Sequence, residues 1–220
     1  MYKRQIPLWA NLMAIAVGGA QGALFAAGFR DRRLDLLGVA IIGLATGLGG
    51  GILRDLLLGL TPSAFLSDWY IPVAIGAALV GMLLESVLTR AALLIALLDA
   101  LTLGLFGAIG TSTALSLGLP AIPAVFIGAI SAVGGSVLRD LLLNLPITLM
   151  HVGSLYAVAA VSGSAALVAL TAIDVPLAVA AAACVGLTFV IRVLAVRYGW
   201  ALPEQRALRR LHGARIRTPR

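Results

Sequence analysis

The chain has 220 residues, of which 61% are hydrophobic and 11% charged, and its mean hydropathy is +1.06. Soluble domains carry about a quarter charged residues, so this composition excludes a water-soluble domain and indicates a chain that crosses a membrane several times. The single cysteine excludes an intrachain disulfide. The net charge of +7 is concentrated in a C-terminal tail without interleaved aromatic residues, which favours contact with anionic lipid over nucleic-acid binding.

Seven apolar runs are each long enough to cross about 30 Å of hydrocarbon as a helix. The runs are continuous rather than alternating, which predicts helices instead of the strands of a barrel. The first run is longer than the apolar part of a signal peptide and is stopped by charged residues, so we expect it to stay as a membrane helix. The predicted spans are residues 8–28, 34–60, 70–88, 91–115, 121–145, 153–172 and 176–197.

A ten-residue segment of the second run recurs in the fifth run. Residues 49–58 read GGGILRDLLL and residues 134–143 read GGSVLRDLLL, which agree at eight of ten positions across an interval of 85 residues. A unit of three helices is odd, so the second unit enters the membrane inverted, as in many transporters. We therefore predict an all-α membrane protein of seven transmembrane helices. Its parts are a first three-helix repeat (1–90), a second, inverted repeat (91–174), a seventh helix (175–200) and a basic cytoplasmic tail (201–220).

The positions of the positive charges predict the orientation in the membrane, because cytoplasmic loops retain Lys and Arg. Arg residues follow the first, third and seventh runs, whereas the loops after the second, fourth and sixth runs carry at most one Asp. This pattern places the N-terminus outside and the C-terminus in the cytoplasm. Only Lys3 and Arg4 argue for the reverse orientation.

Small residues open both copies of the repeated segment. Glycine weakens a helix by up to about 1 kcal/mol relative to alanine, and it lets another backbone approach closely. We expect a kink or an unwound turn here, whose exposed carbonyl oxygens would suit a dehydrated cation. The alternative is that the glycines are packing notches between helices. The candidate hinge residues are Gly49, Gly50, Gly51, Gly134, Gly135 and Ser136.

An Arg-Asp pair follows the small residues in each copy. An Arg at the bilayer centre costs about 2.5–3.5 kcal/mol to insert, so each needs a partner. Because adjacent helix residues do not face each other, we expect Arg54 to pair with a carboxylate or carbonyl of another segment rather than with Asp55. Asp140 and Asp99 are the candidate carboxylates. The alternative is an interfacial anchor or a buried latch, and a latch that opens is a gate. The candidate charged residues are Arg54, Asp55, Arg139, Asp140 and the intramembrane acid Asp99.

The doubled motif, Leu98-Asp99-Ala100 in the fourth run and IRVLAVRYGW at 191–200 resemble the prokaryotic trimeric intracellular cation (TRIC) channel family. The resemblance implies a homotrimer in the cell inner membrane, with one pore per protomer for monovalent cations, chiefly potassium but also sodium. It implies gating at kinked second and fifth helices, with the residues above as hinge and pore charges. Ser136 stands where a third glycine is usual. Membrane lipids are expected partners, and no cofactor is implied.

Two classes of function stay open at this point. A cation channel is the leading hypothesis. A secondary transporter of a small solute such as glycine is the alternative, because inverted repeats with broken helices also fit alternating access, and an Arg beside a half-helix N-terminus would hold a carboxylate. An intramembrane enzyme is disfavoured, since the spans contain no metal cluster or Ser-His or Cys-His set, and the chain has only two histidines.

Overall fold

The computed structural model describes residues 7–28, 34–87, 91–150 and 155–201. Within these ranges the chain forms seven α-helices, two short 3-10 helices and no strand, so the predicted fold class is confirmed. The Arg residues after the first and third runs, and tail residues 202–220, lie outside the described ranges. The α-helices are α1 (Leu8–Ala27), α2 (Leu36–Leu57), α3 (Tyr70–Val87), α4 (Ala91–Ser116), α5 (Ala121–Leu142), α6 (Tyr156–Ala172) and α7 (Leu177–Tyr198).

The helices follow the apolar runs closely because the runs carry few residues that compete with helical hydrogen bonding. Five of them, α1, α2, α4, α5 and α7, are long and apolar enough to cross a membrane, and α3 and α6 are shorter apolar helices. A proline directly precedes α1, α5 and α7, where its missing N–H interrupts no helical bond. At the start of α2, the Asp35 carboxylate accepts a hydrogen bond from the Gly38 amide (2.7 Å), as a helix N-cap does.

The ends of α2 and α5 have the same backbone geometry. Gly59 (φ 67°) and Asn144 (φ 51°) both take the left-handed conformation one residue after the cap. The amide of Leu60 then donates to the Asp55 carbonyl, and the amide of the residue after Asn144 donates to the Asp140 carbonyl, each at 2.8 Å. This is the Schellman arrangement. It turns the chain sharply, so that the following 3-10 helix (Ser63–Phe65 or Thr148–Met150) lies against the end of its own α-helix.

The helices pack in two groups of three that share one contact surface. The helices α1, α2 and α3 contact one another, as do α4, α5 and α6, and α7 packs on α4 and α6. The pairs α2·α5 and α1·α4 join the groups. Many interior positions are Ala, Gly, Ser or Thr, whereas Ile122, Phe126 and Leu83 are more than 60% exposed. Small residues inside and large apolar residues outside are typical of helices that pack in lipid.

Candidate functional site

The two glycine segments form the crossing of α2 and α5. A Cβ atom on Gly50 would overlap the carbonyl oxygen of Ser131, and one on Gly135 would overlap the carbonyl oxygen of Thr46. A Cβ atom on Gly134 would lie 3.1 Å from the Cα atom of Gly50. Side chains at these positions would push the helices apart, so the glycines allow direct contact between the two backbones.

Both helices continue without interruption through these segments. The expectation of an unwound turn is therefore wrong. The glycines allow the two helices to pack closely, and a bend of either helix at its glycines stays a prediction. Gly49 also contributes to the crossing, since its added Cβ would meet the side chain of Leu138. Gly51 is different, because the nearest atom to its added Cβ is a guanidinium nitrogen of Arg54 at 3.9 Å. Ser136 is buried, and its hydroxyl donates to a carbonyl oxygen one turn back (2.8 Å).

The Arg-Asp pair at the end of α2 holds the following loop. Arg54 Nε and Nη2 each lie 2.7 Å from Asp55 Oδ1, and both side chains are almost fully buried. The second carboxylate oxygen of Asp55 accepts hydrogen bonds from the Ser63 amide (2.7 Å) and hydroxyl (2.8 Å). Arg54 also donates to the Ser63 hydroxyl (3.3 Å). We call Arg54, Asp55 and Ser63 the first latch, because they fasten a 3-10 helix to α2.

The same arrangement closes the end of α5. Arg139 donates to Asp140 Oδ1 from Nε (2.9 Å) and Nη2 (2.7 Å), and Asp140 Oδ2 accepts from the Thr148 amide (2.8 Å). The Arg139 guanidinium lies over the ring of Phe25 on α1, 4.2 Å from its centroid, which adds a cation–π attraction. We call Arg139, Asp140 and Thr148 the second latch. It joins α5 to its loop and to the first group of helices.

The prediction that Arg54 pairs across the molecule with Asp140 or Asp99 is wrong. Its partner is Asp55, the adjacent residue. The rule that neighbours do not face each other applies to side chains that leave a continuing helix. Here the helix ends within a turn, so Asp55 faces the loop amide and the long Arg54 side chain wraps around the helix end to reach it. The match between Ser63 and Thr148, again 85 residues apart, is the sequence signal that indicates these loop partners.

Asp99 is the centre of a second buried polar cluster, separate from both latches. It accepts hydrogen bonds from the Tyr156 hydroxyl (2.9 Å) and the Gln21 amide (3.4 Å), and pairs with Arg192 Nη2 (3.3 Å). The Tyr156 hydroxyl also lies 3.0 Å from the Ser136 hydroxyl. This Asp99 cluster therefore joins α1, α4, α5, α6 and α7. The serine in place of a third glycine connects the small-residue segment of α5 to the intramembrane acid.

Three members of the Asp99 cluster were not among the predicted site residues. Gln21, Tyr156 and Arg192 are all buried, and the Arg192 guanidinium lies 4.6 Å from the centroid of the Tyr156 ring. The available signal was a polar or charged residue inside an apolar run, the same criterion that selected Asp99. Sequence spacing alone does not indicate that these residues converge on Asp99, because the four lie on four different helices.

The electrostatics of the site are balanced within the described residues. Each buried carboxylate there faces a guanidinium: Asp55 and Asp140 each face the preceding Arg, and Asp99 faces Arg192. Breaking such a buried pair leaves an uncompensated charge at a cost of about 3–5 kcal/mol. The described residues include no group of three or more His, Cys, Asp or Glu side chains that could hold a metal ion. The two latches fasten the ends of α2 and α5 to the loops that follow them.

These features define a class of membrane protein built from seven helices, with two glycine-packed helices that each end in a buried Arg-Asp latch. The chain matches the family model described as glycine transporter over residues 8–86 and 96–172. It is 38% identical over 160 residues to a UPF0126 membrane protein of Deinococcus radiodurans, with 72% of this chain and 73% of that protein covered. It is 32% identical over 204 residues to the UPF0126 inner membrane protein YadS of Escherichia coli K12, with 89% and 94% covered.

The fold is also similar to that of a solved structure. The TRIC trimeric intracellular cation channel orthologue from Rhodobacter sphaeroides superposes with a TM-score of 0.81 at 29% sequence identity, covering 88% of this chain and 98% of that one. The matched family model covers well over half of the chain. The chain belongs to the TRIC family of membrane proteins.

Proposed function

We propose that the protein is a channel for monovalent cations, with potassium as the main permeant ion and sodium also passing. The observation that carries the proposal is the likeness, over almost the whole chain, to a trimeric intracellular cation channel. By that likeness the protein is a homotrimer with one pore in each protomer. Its place is the cell inner membrane, like that of its relative YadS, with lipids at its outer surface, the N-terminus outside and the C-terminus in the cytoplasm.

The pore follows the crossing of α2 and α5. Each of the two family-model matches contains one of these helices, which supports a division into two inverted repeats, residues 1–90 and 91–174, with residues 175–200 as the added helix. Gly49, Gly50 and Gly51 are the hinge of the first repeat, and Gly134, Gly135 and Ser136 that of the second. The backbones touch at the crossing, so a small bend of either helix at its glycines separates the two and admits water and ions.

The latches are the gates of this pore. Each fastens the end of a pore helix to the loop that follows it, so the helix cannot bend freely while its latch is closed. Opening exchanges the hydrogen bonds between Asp and loop for bonds to water, and it presents a carboxylate to an incoming cation. The paired guanidinium groups leave little net positive charge to repel that cation, because Asp55, Asp140 and Asp99 offset them.

Single-channel recording tests the proposal. Purified trimers fused into planar bilayers in symmetrical KCl are expected to give unitary current steps, with sodium carried less well and chloride excluded. Bilayers treated with the same detergent and lipid without protein are the control. Absence of unitary steps at every voltage and on both faces of the bilayer would contradict the channel.

A glycine transporter is the second candidate, and the description of the matched family model favours it. In this case the Arg of a latch or Arg192 would hold the carboxylate of the amino acid. The discriminating experiment is uptake of labelled glycine into liposomes that contain the protein. Saturable uptake without unitary current favours the transporter, and current without saturable uptake favours the channel.

A further inference from the structure

A groove lies at one end of the second helix group, where α4 and α6 stop and α5 and α7 begin. It has a volume of about 560 Å³, many times the roughly 30 Å³ that one water molecule takes in the liquid. Its polar lining residues are Ser112, Ser116, Thr171 and Asp174. The ends of membrane-spanning helices reach the headgroup region, so a lipid headgroup can enter a groove in this position.

Asp174 occupies a position where a negative charge is unfavourable. It lies two residues after the end of α6 in the left-handed conformation (φ 59°), and the amide of the next residue donates to the Leu170 carbonyl (3.1 Å), as in the Schellman turns of α2 and α5. At the matching position α2, α4 and α5 have uncharged residues, Gly59, Gly118 and Asn144. The C-terminal end of a helix carries partial negative charge, which repels a carboxylate. The turn itself therefore does not require the charge of Asp174.

No described residue neutralises this carboxylate. The Asp174 side chain is exposed and forms no hydrogen bond or ion pair within the described part of the chain. Ser116, the last residue of α4, also lines the groove, so a second helix C-terminus adds its partial negative charge. The groove therefore attracts a positively charged group.

The hydroxyl groups of the groove act as acceptors toward a ligand. Ser112, Ser116 and Thr171 each donate their hydroxyl proton to a carbonyl oxygen of their own helix, at 2.7–3.0 Å. A hydroxyl has one donor and two acceptor positions, so only acceptor capacity remains. Together with the Asp174 carboxylate, every described polar side chain that lines the groove can accept hydrogen bonds from a ligand. A positively charged group with several N–H donors matches this set.

The groove also contains backbone groups that suit an anion. Ala121 and Leu177, the first residues of α5 and α7, line it. The prolines that precede them provide no side-chain cap, and neither amide donates a hydrogen bond to a described residue. Amides at the start of a helix bind phosphate groups. Apolar side chains, among them Leu115 and Val168, also line the groove and suit the carbon atoms of a ligand.

We propose that the groove binds the headgroup of a phospholipid that carries ethanolamine. Its ammonium group lies against Asp174 and the hydroxyl oxygens, and its phosphate lies at the starts of α5 and α7. A primary ammonium supplies three N–H donors, whereas the quaternary ammonium of choline has the same charge and no donor. The inference names the class of lipid for one part of the surface, and it rests on the proposed contact with membrane lipids rather than on ion conduction.

The first test compares two lipids with identical acyl chains in detergent solution. Phosphatidylethanolamine and phosphatidylcholine differ only in the methyl groups on the nitrogen. A ligand that binds the folded state raises the melting temperature, so we expect phosphatidylethanolamine to raise that of the purified protein by several degrees more than phosphatidylcholine does. If the two lipids stabilise the parent protein equally, the inference is overturned.

Two variants show whether this difference comes from the groove. Asp174→Asn removes the charge and keeps a residue that tolerates the left-handed conformation, and Asp174→Gly installs the residue found at the ends of α2 and α4. Both should fold and lose the difference between the lipids. Asp68→Asn is the matched control, because it removes an exposed carboxylate outside the groove, and it should keep the difference. A difference that survives in both Asp174 variants overturns the inference.

The second test counts bound lipids by native mass spectrometry of the intact protein. In an equimolar mixture of the two lipids, the parent and Asp68→Asn should retain phosphatidylethanolamine in several-fold excess, and Asp174→Asn should retain both equally. If free ethanolamine raises the melting temperature of the parent as much as the lipid does, the groove takes a soluble amine and the lipid assignment is wrong. A parent that selects the lipid but carries no current refutes the channel and leaves the site.

Discussion

The two latches have the same backbone and different surroundings. In the first, Arg54 has a second polar partner in the Ser63 hydroxyl. In the second, Arg139 lies over Phe25 and, among the described residues, forms hydrogen bonds only with Asp140. Duplication thus preserved the pairing of carboxylate and loop amide, which fixes the helix end. What diverged is how each guanidinium is held, so the two ends of the proposed pore are expected to open with different ease.

The small-residue segments of the two repeats also have different surroundings. A Cβ atom added to Gly51 would have a guanidinium nitrogen of Arg54 as its nearest neighbour, at 3.9 Å. Ser136, at the matching position, is buried and lies 3.0 Å from the Tyr156 hydroxyl, which donates to Asp99. Among the described residues, a chain of polar contacts therefore leads to α7 from Ser136 and not from Gly51. We expect movement of α7 to act on the second of the proposed gates and to leave the first largely unaffected.

The largest effect is expected when a latch carboxylate is removed. Asp140→Ala leaves Arg139 buried without a polar partner among the described residues, which should lower stability by about 3–5 kcal/mol. Asp55→Ala is expected to be milder, because Arg54 keeps its bond to Ser63. Thermal unfolding of the purified trimer, followed by circular dichroism, measures both. Equal losses in the two variants would show that the surroundings of the guanidinium do not matter.

Removing Arg139 should lower the stability of the trimer less than removing Asp140 does. In Arg139→Ala the Asp140 carboxylate keeps the hydrogen bond from the Thr148 amide, whereas in Asp140→Ala the charged guanidinium keeps no polar partner among the described residues. We expect a loss of about 1.5–3 kcal/mol, the range for a hydrogen bond to a charged group. Trimers should still assemble, and the open probability should rise because the second latch is weakened. A variant that conducts like the parent would remove Arg139 from the gate.

Substitutions at two adjacent glycines test whether close backbone contact at the crossing of α2 and α5 stabilises the protein. Gly50→Ala would force its methyl group into the Ser131 carbonyl, and such overpacking typically costs about 1–3 kcal/mol. Gly51→Ala adds the same atom with no close neighbour, so stability should be unchanged or slightly higher, as helix propensity favours alanine. Both are measured by thermal unfolding and by single-channel recording. If Gly51→Ala is as damaging as Gly50→Ala, the flexibility of the hinge matters more than the contact.

Much of the fold follows from hydropathy, and the details of the site do not. The ends of the predicted runs agree with those of the helices to within three residues in every case. All starts but the sixth lie within two residues, and the second and fifth helices end three residues early, at the Schellman turns before Leu60 and Leu145. The intrinsic weakness of glycine suggested broken helices, yet packing against a second backbone keeps Gly50 and Gly135 helical. Propensity is a weak prior that tertiary contacts override.

The pairing of charges was the least predictable feature. Spacing along the chain does not reveal where a helix ends, and the partner of Arg54 depends on that end. The Asp99 cluster draws residues from five helices, and only contacts in three dimensions reveal such a set. The repeat interval of 85 residues carries information in both cases, because it matches Ser63 with Thr148 and indicates that Ser136 departs from Gly51.

The smallest loss of stability is expected when Ser136 is replaced by the glycine that stands at the matching position of the first repeat. Ser136→Gly removes a neutral hydroxyl that lies 3.0 Å from Tyr156, so the loss should be about 0.5–1.5 kcal/mol. The Tyr156 hydroxyl still reaches Asp99 (2.9 Å), and the trimer should remain folded. We expect a modest rise in open probability, since α5 is no longer held to the Asp99 cluster.

The matched variant is Gly51→Ser, which introduces the hydroxyl into the first repeat. The position 85 residues before Tyr156 is Ile71 on α3, and no hydrogen bond among the described residues joins the Gly51 segment to Asp99. This variant should therefore leave gating close to that of the parent. If the two exchanges instead shift the open probability by equal amounts, the serine acts through helix flexibility alone. The connection from α5 through Tyr156 to Asp99 would then have no part in gating.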